Sequence, residues 1–260
     1  RYTTTATTRA VLAVNHESSA DAHFFHPRGQ TAGGTDGLKF SQFGGSSGWN
    51  GGARPALEVL KEINHHGVSI AEVRRNTTTG RWEYLVDAPL NRRVTAQTVM
   101  RITGPAAHIA DIRSFMVTAY DITGATSRGT LNNCGHGKTP WGTYLGCEEN
   151  WAFYFNNSVA PTGLTANQVA GRQRYGVPTT AFSTTAPVNR NSQGWYSVAG
   201  GDNRFTRWDI ATTGATAADD FRNEPNTFGY NVEIDPLNPT AQPAKRVAMG
   251  RFAHEAAVCS

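Results

Sequence analysis

Between Gly135 and Asn150 the chain reads Gly-His-Gly-Lys-Thr-Pro-Trp-Gly-Thr-Tyr-Leu-Gly-Cys-Glu-Glu-Asn. A thiol at Cys147 stands beside the carboxylates of Glu148 and Glu149, shortly after a glycine-rich turn that carries Lys138. Thiolate suits iron, copper or zinc, whereas carboxylate suits calcium, magnesium or ferric iron. The pairing points to a mixed metal centre, with Lys138 and nearby backbone N–H groups available to an anionic substrate. Gly137-Lys138-Thr139 is a decoy for a nucleotide-binding P-loop. Asn132 stands where that motif needs its first glycine, and Pro140 to Thr143 do not start the helix that should follow.

Other acidic groups are dispersed but share a layout in which an apolar strand leads into, or contains, a polar cluster. They are Asn15-His16-Glu17, Glu233-Ile234-Asp235-Pro236 and His254-Glu255. Scattered oxygen donors of this kind hold hard cations. Glu233 lies inside an apolar strand, so its burial demands a partner. Arg251 and His254 add a cation able to grip phosphate and an imidazole able to bind metal or move protons. In a regular strand Cys147 and Glu149 share one face and Glu148 the other. A metal bound by both Cys147 and Glu148 therefore requires the strand to bulge or end there. No Gly-x-Ser-x-Gly motif supports a serine hydrolase.

The elements that must position these groups are short. Of 260 residues only 17% are charged, 27 are glycine, and the net charge of +4 comes without any basic run, which argues against nucleic acid. The cysteines at 134, 147 and 259 form no Cys-x-x-Cys pair. Cys134 and Cys147 could pair with each other, or each could be a small buried residue. No run is apolar and long enough to span a membrane. The chain starts at Arg1 without a signal peptide and ends within an apolar run, so it reads as an internal fragment, cut at both ends.

The spacing predicts a helix over 55–66, with Leu57, Val59, Leu60 and Ile63 inward and His65-His66 at its end. Strands are expected at 11–14, 68–73, 82–86, 99–102, 115–120, 142–147, 151–155, 195–199, 229–234, 246–249 and 256–259. Residues 29–52 read as a surface loop and 156–193 as an irregular insertion. The expectation is an all-β chain, an incomplete β-propeller forming one partial domain over 1–260, with a single short helix.

Asn15-His16-Glu17, Gly104 to Ala107, Gly129 to Asn150, Asn223 to Gly229, Glu233 to Pro236 and Gly250 to Glu255 occur in that order. Together they resemble the PhoX-type alkaline phosphatases across nearly the whole chain, most specifically in Thr139-Pro140-Trp141-Gly142-Thr143 followed by Cys147-Glu148-Glu149-Asn150. The resemblance implies a phosphomonoesterase on a propeller, exported folded by the twin-arginine route to the periplasm or cell exterior and scavenging phosphate. It implies a centre of ferric iron and calcium, with Cys147 as the iron thiolate and Glu148, Glu233 and Glu255 as carboxylate ligands. Asn15 and Glu17 fall on the calcium side, and Lys138, Arg251 and His254 contact phosphate. Small phosphate monoesters are the expected substrates of a monomer. A calcium-stabilised binding propeller and a lactonase-like propeller hydrolase are the competing expectations.

Overall fold

The computed structural model describes residues 2–3, 8–18, 26, 49, 51–183 and 193–259. The loop expected over 29–52 lies almost wholly outside the described residues. In chain order the strands and helices of the first half are β1 (Tyr2–Thr3), β2 (Arg9–His16), α1 (Ala56–His65), β3 (Gly67–Arg75), β4 (Trp82–Tyr84), β5 (Arg92–Val94), β6 (Val99–Thr103) and α2 (Ala110–Ser114). They continue with β7 (Thr126–Arg128), β8 (Asn133–Lys138), β9 (Tyr144–Glu148), α3 (Ala166–Arg174), α4 (Asn203–Thr206), β10 (Asn231–Ile234) and β11 (Ala244–Arg246).

These strands form two open sheets, which corrects the all-β propeller expectation. One is five-stranded and antiparallel, running β1-β2-β3-β4 with β5 also on β3; the other is six-stranded, β7-β6-β11-β10-β9-β8. In the second, β11 and β6 pair in parallel and the remaining neighbours are antiparallel. Among the described residues no blade repeats around a channel, and helices interleave with the strands. The physical reason lies in the aromatic runs. Residues 151–155 and 195–199 have strand-like composition, yet Trp151–Tyr154 and Trp195–Ser197 coil into 3-10 turns whose rings fill a core. Residues 115–120 form turns, and 256–259 join no strand. Part of the expected irregular insertion is the helix α3, opened by a capping box. Thr165 accepts from the Gln168 N–H at 3.3 Å and Gln168 accepts from the Thr165 N–H at 2.8 Å.

The two sheets face each other through period-two burial. In β2, Val11 and Ala13 point inward while Leu12 and Val14 are exposed. They pack with Val68 and Ile70 of β3 and with Met100, Tyr144, Val232 and Ile234 of the other sheet. A second core joins α1 to Trp151, Tyr154, Phe155, Trp195, Trp208 and Phe228. The buried face of α1 carries Val59, Glu62 and Ile63, whereas Leu57 is 82% exposed. Burying Glu62 demands compensation. Arg54 donates both terminal nitrogens to it at 2.8 and 2.7 Å, and Trp195 Nε1 donates at 2.7 Å.

His66 is fully buried, its ring edge-on to Tyr154 and Trp195. Burial and then neighbouring His65 push its pKa down to about 3; burial and then Arg93 bring His16 to about 4. Both rings are thus neutral in the fold and protonate on unfolding below their ordinary value. The unfolded chain binds more protons between pH 6.5 and those depressed values, so stability present above pH 6.5 is lost as pH falls. Urea unfolding from pH 6.5 to 5 should show stability falling by up to about 1.4 kcal/mol per pH unit for His66. His66→Gln should remove the His66 share of that slope and leave the His16 share, and an unchanged slope would contradict neutral burial of His66.

Candidate metal centre

Three segments meet at the start of β8. The first is the end of β2, where Asn15 Nδ2 donates to Asn133 O at 2.8 Å and also to Cys134 O. The second is the end of β9, where the Glu149 N–H donates to Asn132 O at 3.1 Å. The third is the run 254–257, held by Gly135 N to Glu255 O at 2.6 Å and His254 N to Glu148 O at 3.0 Å. That run lies so close to β8 that a Cβ on Gly137 would sit 2.0 Å from Ala257 O, and one on Gly135 would sit 2.7 Å from Glu255 O. The Gly-x-Gly spacing therefore serves backbone approach instead of a phosphate cradle.

The pairing of β8 with β9 shifts register between Asn133 and His136. This irregularity contains Cys134, and such bulges re-aim side chains. The result is a cluster in which one ligand atom from each of Glu17, Cys134 and Glu149 lies within 4.8 Å of the others. Burial, the charge of Glu17 and a hydrogen bond with Glu149 push the Cys134 thiol up to about 12, and Glu255 adds to the push. A thiol ringed by carboxylates keeps its proton until a cation arrives. A cation of mixed preference, taking one sulfur and several oxygens, fits this donor set.

Of the residues singled out from sequence, Glu17, Glu255 and Asn15 converge here. The others are engaged elsewhere. Cys147 is fully buried, its sulfur accepting from Asn231 Nδ2 at 3.1 Å, and burial foremost raises it to about 11. Glu148 is equally buried, with Lys245 Nζ 2.9 Å away and the N–H groups of Gly229 and Tyr230 donating at 2.9 and 3.2 Å. Lys245 also donates to Thr227 O and lies over the Phe228 ring; burial lowers its pKa to about 8 against the pull of Glu148.

Glu233 sits opposite Leu145 in the register, four residues from Glu149 and so ~13 Å along the strand. Its carboxylate accepts from Thr143 Oγ1, Trp141 Nε1 and Arg246 Nε at 2.6, 2.7 and 2.6 Å. Lys138 lies at the far end of β8, again ~13 Å along the strand from Cys134. Arg251 is clamped between the Trp151 and Tyr175 rings and donates to Phe228 O and Pro225 O. The buried His254 stacks on Phe252 and is kept neutral chiefly by burial. Beside Glu149 opens a cleft of ≈ 540 Å³ bordered by Trp151, Arg174, Tyr175, Arg251 and Phe252.

The sequence profile of the family described as alkaline phosphatase PhoX matches residues 2–260. The chain belongs to the PhoX alkaline phosphatase family. Among solved structures it is similar to Pseudomonas fluorescens PhoX in complex with vanadate, a transition state analogue, with 32% identity and a TM-score of 0.69. That match covers 97% of this chain and 34% of the other, so the chain spans about a third of that PhoX protein. No curated protein is similar to the chain at a significant level. None of the described helices is long and apolar enough to cross a membrane.

The sequence reading of this PhoX chain named neither Cys134 nor Glu149 among the ligands, whereas the structure brings both beside Glu17. Glu149 carried a usable signal, since strand alternation separates it from Glu148 and it follows the last residue of β9. The bulge that aims Cys134 left none. If Glu148 belongs to the core, Lys245→Met should destabilise the protein by about 3–5 kcal/mol in urea, leaving a buried charge unpaired. Adding Glu148→Gln should recover most of that loss with bound metal unchanged; loss of metal in the double variant would return Glu148 to the ligand set.

Proposed function

We propose that this chain carries part of the metal centre of a secreted phosphomonoesterase, with Glu17, Cys134 and Glu149 holding a ferric ion. The single observation that carries the reading is the convergence of one thiol and two carboxylates within 4.8 Å. Membership of the PhoX family supports phosphate monoesters as substrates. The related structure's vanadate complex supports the same chemistry, because vanadate mimics pentacoordinate phosphorus. Glu255 and the Asn15–Glu17 segment at the end of β2 add oxygen donors of the kind calcium takes, so calcium beside iron completes the proposal. Export to the periplasm or cell exterior and phosphate scavenging belong to the same reading.

Bound cations would supply charge neutralisation for phosphoryl oxygens. The chain's own residues do the rest. Cys134 must release its proton on loading, because the thiolate and not the thiol is the ligand. The carboxylates favour a positive charge at the cluster and disfavour a bare anion there. The cleft beside Glu149 receives the ester's organic part against Tyr175 and Phe252. Arg174, an exposed guanidinium on its rim, offers paired donors to phosphate oxygens. In this reading Arg174 takes the phosphate contact, since Lys138 lies ~13 Å along β8 from Cys134 while Arg251 and His254 pack against aromatic rings.

In the intact protein, Cys134→Ser should lower p-nitrophenyl phosphate turnover at least about 100-fold and remove bound iron, since even outer-shell losses cost 10–100-fold. Cys147→Ser should keep both within a few-fold. The opposite pattern would move the thiolate ligand back to Cys147. Chelation of calcium should also suppress turnover, reversed by calcium.

A further inference from the structure

We propose that Asn132 is the positioning residue of this centre, a single buried side chain that sets the three ligand-bearing segments relative to one another. The inference rests on the metal reading above. Asn132 is the one non-glycine residue at positive φ among the described residues, at 47°, and it is fully buried. Asn tolerates this left-handed region better than other residues with a side chain, because its short amide bonds locally. Here the amide bonds across segments instead.

Its Nδ2 donates to the Glu17 carbonyl at 3.3 Å and to Tyr154 Oη at 3.3 Å. Its Oδ1 accepts from the Asn150 N–H at 2.8 Å, and its own carbonyl accepts from the Glu149 N–H at 3.1 Å. Two residues later comes Cys134. One residue thus touches the backbone of Glu17, fixes Glu149 and Asn150, and launches the bulge that aims the thiol. His66 completes the arrangement, its Nδ1 lying 2.8 Å from the same Glu17 carbonyl. A carbonyl only accepts, so Nδ1 carries the hydrogen. Two buried donors on one carbonyl fix where the Glu17 side chain departs. A left-handed residue at the meeting point of three ligand segments is local strain retained where geometry must be exact to a fraction of an ångström.

The test is a Co²⁺ titration of the metal-stripped intact protein, read by thiolate-to-metal charge-transfer absorption. Asn132→Gly keeps the backbone conformation free of strain and retains the carbonyl bond to Glu149, but deletes the amide. It should weaken Co²⁺ binding by about 10–100-fold and diminish the thiolate band. Tyr154→Phe removes another partner of the same amide without freeing Glu17 or Glu149, and should leave Co²⁺ affinity near wild type. Should Asn132→Gly not fold, Asn132→Asp is read the same way, since it keeps the acceptor for Asn150 and loses the donor to Glu17. Wild-type affinity and band in the Asn132 variant overturn the positioning role. Equal loss in Tyr154→Phe also overturns it, as that marks general destabilisation. A wild-type titration without a thiolate band, or one that Cys134→Ser reproduces, overturns the metal reading and this inference with it.

Discussion

A thiol and two carboxylates gathered within 4.8 Å repel one another once ionised, and nothing in their own chemistry keeps them together. The surrounding fold must therefore impose the cluster through backbone. Three chain segments that are far apart in sequence are laced by main-chain and amide hydrogen bonds at one end of a six-stranded sheet. Glycines at 135 and 137 admit the last of these segments at distances no side chain would permit. A cation would relieve the repulsion, which is the electrostatic basis of the proposed metal centre.

Three buried carboxylates of the described core each have a cation beside them. Glu62 is gripped by Arg54, Glu148 by Lys245, and Glu224 by Arg207 at 2.5 Å. Such pairs add little net stability, because desolvation offsets attraction, yet breaking one strands a charge in a dry interior. Glu148 shows the consequence most directly. It neighbours Glu149 of the proposed ligand cluster in sequence but faces the core, where its lysine and two backbone N–H groups surround it. Successive residues of a strand face opposite sides, and Glu148, the last residue of β9, faces the core while Glu149 just beyond it joins the cluster with Glu17 and Cys134.

That alternation explains what the sequence made legible and what it concealed. Period-two patterns revealed β2 and β3, the 3.6-residue period revealed α1, and Glu17 of the Asn15-His16-Glu17 motif falls in the cluster with Cys134 and Glu149. The propeller expectation failed where composition and conformation diverge. Trp151–Tyr154 and Trp195–Ser197 look like strands but coil to place rings in a core, a tertiary override of local preference. The capping box at Thr165 to Gln168 was readable in principle and marks a helix inside a stretch that looked irregular. Cys134 was not readable: a register shift aims it, and register shifts arise from packing between segments. Cys147, followed by two glutamates, has the more suggestive neighbours in sequence, while its sulfur lies buried against Asn231.

X-ray absorption at the edge of the metal retained by the native, intact protein addresses the cluster most directly. The account predicts one sulfur scatterer at about 2.3 Å, as metal–thiolate bonds typically show, among oxygen neighbours. It predicts that this sulfur shell disappears when Cys134 is replaced by serine and persists when Cys147 is. An oxygen- and nitrogen-only shell in the native protein, or a sulfur shell that follows Cys147, would contradict it.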